Sequence, residues 1–160
     1  MSLEVTIRTA LPDDVPELRR VYLQASLSNV DDRDALLSHP EFLVFTGSGV
    51  ADGKTRVALV AGRLVGFASI AAHEPDSLEL EDLFVDPNWQ RCGIARRLVA
   101  DLVQTARAGG VGTLLVSGNP HAKAFYLSVG FVEIGTVVTE LGSAPRLRMD
   151  LTSSHASTVP

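Results

Sequence analysis

The residues from Gln90 to Arg97 have the types and the order that bind a phosphate group. The run Gln-Arg-Cys-Gly-Ile-Ala carries little side-chain bulk and lies between a predicted strand and a predicted helix. The first N–H groups of a helix lack partners within the helix, and they lie at the positive end of its dipole. Arg91 and Arg96 add positive charge beside them. The sequence therefore predicts an anion site for a phosphate-bearing cofactor at this helix start.

Two carboxylates, Glu79 and Glu81, share one face of the predicted strand that leads into this loop, because residues two apart on a strand point the same way. A carboxylate can act as a general base that removes a proton from a substrate, directly or through water. The alternative is that both glutamates only solvate an exposed strand face.

Asp82 interrupts the alternation of apolar and acidic residues along the same strand. One extra residue in a strand resets such an alternation, so the interruption predicts a β-bulge near Asp82. We expect Asp82 either to shape this bulge or to bind a cationic substrate. His73, just before the strand, is a candidate for binding the substrate or for acting as base, although a lone histidine is more often a surface residue.

Composition limits the remaining classes of protein. The chain has 160 residues, 46% of them hydrophobic, a net charge of −5 and one cysteine. We expect one domain over residues 4–151, a disordered tail over 152–160, no membrane span and a cytoplasmic location without disulfides. The four histidines are scattered, which predicts no metal site. The acidic charge argues against nucleic acid or a membrane surface as partner, and a homodimer is left open.

The hydrophobic pattern predicts alternating strands and helices. Residues 41–54 have an ambiguous pattern, and Gly62-Arg63 is typical of a hairpin turn. Gly109-Gly110 ends the helix that follows the phosphate loop. The predicted strands are 4–8, 56–61, 64–72, 77–85, 113–117, 131–138 and 145–151. The predicted helices are 12–27, 31–38, 93–108 and 119–129.

The phosphate loop lacks the Lys-Ser/Thr ending of nucleotide triphosphate P-loops and the three-glycine dinucleotide fingerprint. It resembles the acetyl-CoA pyrophosphate loop of the GNAT N-acetyltransferase superfamily. Gln90, Gly93 and Ala95 match the pattern Gln/Arg-x-x-Gly-x-Gly/Ala, and Val-Asp-Pro precedes it at residues 85–87. A second segment, 119–131, resembles the downstream motif of that family, in which an Asn opens a helix that carries Phe-Tyr and closes at Gly-Phe. The resemblance covers about residues 4–151.

The resemblance implies an α/β fold with a mixed, mostly antiparallel sheet of about seven strands, flanked by about four helices, with a β-bulge in the central strand. It implies acetyl-CoA as cosubstrate and no metal. The acetyl-pantetheine arm would pair with backbone groups of residues 83–85, and the N–H of Phe84 or Val85 would stabilise the oxyanion. The implied cofactor-binding residues are Leu83, Phe84, Val85, Gln90, Arg91, Cys92, Gly93, Ile94, Ala95, Arg96, Asn119, Phe125 and Tyr126.

The resemblance also implies catalytic residues. Glu79 lies at the position of a glutamate base in some members, and Glu81 at the position used by some polyamine-type members. Tyr126 matches the tyrosine that protonates the departing CoA sulfur, and the alternative is that it is an aromatic core residue. Asn119 before Pro120 is typical of a helix cap, and the resemblance makes it a cofactor contact as well.

Three functions are compatible with these patterns. The leading hypothesis is acetyl transfer from acetyl-CoA to a primary amine of a small molecule or peptide. A rival is a catalytically silent CoA-binding sensor, and a third is a structural interaction domain, which would leave the loop and Tyr126 unexplained. The acidic residues around the strand favour a cationic acceptor, whose pocket we expect from loops 27–41, 47–54, 73–77 and 139–145.

Overall fold

The computed structural model describes residues 3–139 and 142–152, which contain seven strands and five α-helices. The strands are β1 (Thr6–Thr9), β2 (Thr55–Val60), β3 (Arg63–Ala72), β4 (Ser77–Val85), β5 (Thr113–Ser117), β6 (Val132–Thr139) and β7 (Gly142–Asp150). The helices are α1 (Val15–Leu27), α2 (Val30–Ser38), α3 (Ser48–Ala51), α4 (Ile94–Ala108) and α5 (Lys123–Ser128).

The strands hydrogen-bond in the order β1-β2-β3-β4-β5-β7-β6. The pairs β1–β2, β2–β3, β5–β7 and β6–β7 are antiparallel. The pair β4–β5 is parallel, with Ser77–Leu80 beside Thr113–Val116, and α4 lies in the connection between these two strands. The α/β fold with a mixed, mostly antiparallel seven-stranded sheet is therefore confirmed. The helix beyond the expected four is α3, a single turn in the segment with an ambiguous pattern.

The chain forms two compact units, and the first contains Met1–Ser69 and Asp82–Leu98. Helix α1 follows a turn in which the carboxylate of Asp14 accepts a hydrogen bond of 2.7 Å from the N–H of Leu11. One face of α1 packs against the buried faces of β2 and β3, as the helical spacing of its apolar residues requires. The residues of this core include Leu18, Val21, Val57 and Phe67.

The second unit contains Ile70–Glu81 and Val99–Pro160, and its described part ends at Thr152. Strands β5 and β7 alternate buried and accessible side chains, so that Leu114 and Leu147 are buried. Helix α4 ends where Gly110 adopts a φ of 78° and the N–H of Val111 donates to the carbonyl of Ala106 at 3.0 Å. This is the glycine stop that the sequence predicts.

Some of the expectations lie outside the described residues or stay untested. Residues 153–160, for which a disordered tail is expected, and residues 140 and 141 of the loop expected at 139–145 lie outside the described residues. Register shifts occur between β2 and β3 and between β6 and β7. The bulge expected near Asp82 stays a prediction. No helix in the described ranges combines the length and the apolar character needed to cross a bilayer.

Candidate active site

Two residues in the connection from β4 to α4 have left-handed backbone conformations, which occur in anion-binding turns. Arg91 and Gly93 both adopt left-handed conformations, with φ of 64° and 82°. The carbonyl of Gly93 accepts a hydrogen bond of 3.1 Å from the N–H of Arg97, so the first turn of α4 starts here. Turns that alternate in this way direct successive N–H groups into one concavity, where they bind anions. The side chains of Gln90, Arg91 and Cys92 are exposed.

Asp86 fixes the start of this loop. Its buried carboxylate accepts hydrogen bonds from Arg20 at 2.9 Å and from the N–H of Asn88 at 3.0 Å, and its own N–H donates to Val65 at 2.8 Å. Arg20 also donates to the carbonyl of Leu64 at 3.1 Å. Burial raises the pKa of Asp86, but the hydrogen bonds from Arg20 and Asn88 outweigh burial and lower it below its ordinary value. The carboxylate therefore stays ionised at neutral pH.

The start of α4 is held close to the sheet. A Cβ on Gly66 would lie 3.0 Å from the carbonyl oxygen of Phe84 and 3.1 Å from Cγ2 of Ile94, so a glycine is needed at this approach. The side chain of Ile94 is buried, with 1% of its surface exposed. Of the residues expected to contact the cofactor, Ile94 can therefore contribute only its backbone.

Glu79 is held by an arginine that the sequence analysis missed. Its two carboxylate oxygens accept hydrogen bonds of 2.6 and 2.8 Å from Arg146 of β7, which also donates to the hydroxyl of Ser117 at 2.9 Å. The hydrogen bond with Glu79 raises the pKa of Arg146. His73 is exposed and lies 3.9 Å from Glu79, between Nδ1 and Oε1. A bidentate guanidinium holds both carboxylate oxygens of Glu79 in a fixed geometry.

The carboxylates of Glu81 and Asp82 differ from that of Glu79 in their partners, and from each other in burial. Glu81 is exposed, and no hydrogen bond or ion pair joins its side chain to another residue of the described ranges. Asp82 is partly buried, and its carboxylate accepts a hydrogen bond from the hydroxyl of Ser69. Burial raises the pKa of Asp82, and the Ser69 hydrogen bond offsets this only in part. Asp82 therefore takes up a proton more readily than an exposed aspartate does.

Tyr126 lies in the expected helix, which begins with a 3-10 turn over Pro120–Ala122 and continues as α5. The side chain of Asn119 caps the turn by accepting a hydrogen bond of 2.9 Å from the N–H of Ala122. The ring of Tyr126 is 7% exposed and packs edge-on against Phe125 and Phe131. Burial raises the pKa of Tyr126 to about 12, so the phenol is protonated at neutral pH. Within the described ranges its hydroxyl has no hydrogen-bond partner.

The expected site residues divide between the two units. The first unit contains Asp82, strand residues 83–85 and the loop up to Arg97. The second contains the other expected residues, which are His73, Glu79, Glu81, Asn119, Phe125 and Tyr126.

The sequence carries only part of the signal for Arg146. The alternation along β7 places Arg146 and Arg148 on the face opposite the buried Leu147. It does not predict that Arg146 pairs with Glu79, because that pairing depends on the strand order.

Known proteins resemble this chain in both sequence and structure. The family model described as an acetyltransferase (GNAT) domain matches residues 50–152. The chain belongs to the GNAT acetyltransferase family. The N-alpha-acetyltransferase RimI of Mycobacterium tuberculosis is 40% identical to this GNAT protein over 77 residues, which are 46% of this chain and 49% of that one. The matched region thus spans about half the length of that relative.

Two solved structures share the fold of the GNAT protein over nearly their whole length. The PaiA N-acetyltransferase of Thermoplasma acidophilum, crystallised in complex with coenzyme A, has a TM-score of 0.74 at 14% identity, with 92% of this chain and 99% of that chain covered. The ribosomal-protein-alanine N-acetyltransferase of Brucella melitensis has a TM-score of 0.67 at 26% identity, with 91% and 99% covered.

Proposed function

We propose that this GNAT protein transfers the acetyl group of acetyl-CoA to a primary amine by direct attack. The amine nitrogen attacks the thioester carbon, the C–S bond breaks, the nitrogen loses a proton, and the acetylated amine and CoA thiol leave. The observation that carries the proposal is the loop before α4, whose left-handed Arg91 and Gly93 give it the shape of an anion site. This shape fits the pyrophosphate of CoA.

Acetyl-CoA would be bound mainly by backbone groups. In the proposal, the N–H groups of residues 91–96 bind the pyrophosphate, with Gln90 and the exposed arginines around it. The pantetheine arm follows the backbone of residues 83–85, and an N–H of Phe84 or Val85 stabilises the oxyanion. Asn119 and Phe125 complete the cofactor contacts. The buried Asp86–Arg20 pair supports this assignment because it fixes where the loop begins.

Tyr126 is proposed to stabilise the departing thiolate. Its pKa of about 12 exceeds that of a thiol, about 8.5, by about 3.5 units. Complete proton transfer from the phenol to the thiolate is therefore uphill by about 5 kcal/mol. A strong hydrogen bond from the hydroxyl needs no such transfer. The proton that ends on the CoA thiol would then come from Tyr126 only as the thiolate leaves, or from solvent afterwards.

A carboxylate of β4 is proposed as the base. Glu79 could act directly only after it releases Arg146, so its pairing favours a positioning role. Glu81 has an exposed carboxylate that could act through water. Asp82 combines partial burial with a raised pKa, which brings its proton affinity closer to that of the amine. His73 is proposed to contact the acceptor.

The acceptor is proposed to be a cationic amine, either a small molecule or the α-amino group of a peptide. The names of two relatives, an N-alpha-acetyltransferase and a ribosomal-protein-alanine N-acetyltransferase, support the peptide. The acidic side chains of Glu81 and Asp82 support the positive charge. We place the protein in the cytoplasm as a single acetyltransferase domain over residues 4–151, and its single cysteine supports this location.

The test is a turnover assay that detects free CoA thiol with a panel of amines. The panel contains peptides with a free N-terminal alanine, the same peptides with a blocked N-terminus, a polyamine and an amino sugar. Thiol release that depends on an unblocked amine, with an acetylated product in the mass spectrum, supports the proposal. Binding of acetyl-CoA without turnover on any amine would favour the catalytically silent sensor instead.

A further inference from the structure

We infer that Asp82, held by Ser69, binds the ammonium group of the acceptor and takes up its proton, so that Asp82 is the catalytic base. The inference rests on the proposed acetyl transfer and makes it more specific. Ser69 is a positioning residue, because its hydroxyl acts through Asp82.

The first observation is that Asp82 lacks a cationic partner within residues 3–139 and 142–152. Three other shielded carboxylates, those of Asp14, Glu79 and Asp86, each bind an arginine at 2.6 to 3.1 Å. No arginine, lysine or histidine of the described residues pairs with Asp82, whose hydrogen-bond partner is the hydroxyl of Ser69. A shielded carboxylate without a cation costs free energy. An ammonium ion from the acceptor would supply the missing charge.

The second observation is a buried hydroxyl next to Ser69. Thr55 of β2 lies opposite Ser69 of β3 in the antiparallel ladder and is completely buried. Within the described residues its Oγ1 has no hydrogen-bond partner. A Cβ on Gly49 would lie 2.9 Å from this Oγ1 and 3.7 Å from Cβ of Ser69. An unsatisfied buried hydroxyl is the kind of group that an ordered water or a ligand atom satisfies.

Together these side chains form a polar row across β2, β3 and β4, consisting of Thr55, Ser69 and Asp82. The row borders the aromatic rings of the first unit, where Tyr22 packs edge-on against Phe84 with ring centroids 4.8 Å apart. Burial is the larger cause of the raised pKa of Tyr22, and the negative charge of Asp82 raises it further. A negative group beside aromatic rings is a suitable environment for an ammonium ion.

The proton transfer balances without any further reactant. The ammonium donates a hydrogen bond to Asp82, its proton moves to the carboxylate, and the lone pair left on nitrogen attacks the thioester carbon. As the C–S bond breaks, the nitrogen loses its second proton to the departing thiolate, directly or through solvent, so that CoA leaves as the thiol. Asp82 later returns its proton to solvent. An α-amino group, with a pKa of about 8, loses its proton to a carboxylate more easily than a lysine side chain, with a pKa of about 10.4. The inference therefore favours an α-amino acceptor.

The test compares Asp82→Asn, Ser69→Ala and Glu81→Gln, with Asp13→Asn as the matched control on an exposed aspartate. Wild-type turnover on the amine panel is measured first. Asp82→Asn should lower kcat/KM for the amine by about 10²–10⁴-fold. It should leave acetyl-CoA affinity in calorimetry unchanged, and the melting temperature at pH 8 unchanged or higher, because an unpaired shielded charge is removed. Asp13→Asn should match the wild type.

The pH profile separates a base from a structural residue. The Ser69 hydrogen bond lowers the pKa of Asp82, so Ser69→Ala should raise the pH at which kcat/KM rises. Tyr22 and Ser69 are the groups that face Asp82, and Tyr22 titrates far above this range. Full turnover by Asp82→Asn, or a melting temperature that falls in parallel with the rate, would overturn the inference alone. A large loss in Glu81→Gln with a normal Asp82→Asn would assign the base to Glu81. A wild type without turnover on any amine would overturn the proposed function as well.

Discussion

Replacing Arg20 by methionine removes the ion pair with Asp86, together with the exposed pair with Glu17 and the hydrogen bond to the carbonyl of Leu64. The side chain of Asp86 has no exposed surface, and that of Arg20 is 23% exposed. Removing one partner of a buried pair costs about 3–5 kcal/mol, because the other charge stays buried without compensation. Since Arg20 is partly exposed, we expect a value near the lower end, about 3 kcal/mol at pH 7.5.

The pH dependence of this loss follows from the pKa of Asp86. In the wild type the pKa of Asp86 is lower in the folded state than in the unfolded state. The pair therefore stabilises the folded protein fully above the unfolded pKa of about 3.9, and this contribution is lost as the pH falls further, through the folded pKa. Without Arg20 the largest cause that lowers the pKa of Asp86 is gone, while burial still raises it against the N–H of Asn88 and the charge of Arg63. The folded pKa of Asp86 is therefore higher in the variant than in the wild type. The deficit of the Arg20→Met variant should therefore shrink as the pH falls from 7.5 towards 4.5.

Urea denaturation at pH 7.5 and 4.5 measures both quantities. The double variant Arg20→Met with Asp86→Asn should recover part of the loss, because no charge stays buried. Arg148→Met removes an exposed arginine and should change stability by less than about 0.5 kcal/mol. A loss below about 1 kcal/mol, or one that does not depend on pH, would refute the reasoning.

Three further predictions follow from other contacts. Tyr126→Phe should lower turnover by about 10²–10⁴-fold in steady-state assays. The melting temperature should stay unchanged, because the hydroxyl has no hydrogen-bond partner among the described residues. Full turnover would remove Tyr126 from the mechanism. Gly93→Val should weaken acetyl-CoA binding in calorimetry, and unchanged affinity would contradict the loop assignment. It should also lower the free energy of unfolding in urea by about 1–2 kcal/mol, because residue 93 has a φ of 82°. Glu79→Gln should cost about 2 kcal/mol through the hydrogen bonds of Arg146, whereas Glu81→Gln should leave stability unchanged; equal effects would contradict the pairing.

The sequence predicts those parts of the fold that are determined by residues close together in the chain. The turn between β2 and β3 contains Gly62, whose φ of 80° explains the glycine, and the cap at Asn119 forms as its position before Pro120 indicates. Strand β4 and helix α4 lie within one residue of their predicted bounds. The family motif adds the mixed, mostly antiparallel sheet of about seven strands, which periodicity alone leaves open.

The contacts that shape the site depend on residues far apart in the chain. Arg146 and Glu79 are 67 positions apart, and Arg20 and Asp86 are 66 apart. Neither pair has a local pattern, because strand order and helix packing bring the partners together. The segment 41–54 was ambiguous for a different reason. Its 3-10 turn and the four-residue α3 are too short to show a helical period.

The central claim is that acetyl transfer depends on a pyrophosphate held by the loop before α4. The most direct measurement compares kcat/KM for acetyl-CoA with kcat/KM for acetyl-pantetheine, which has the same thioester but no pyrophosphate, with one amine acceptor. We predict a loss of at least about 100-fold with the truncated donor, which corresponds to about 2.7 kcal/mol of lost transition-state binding. Equal values for the two donors would contradict the claim.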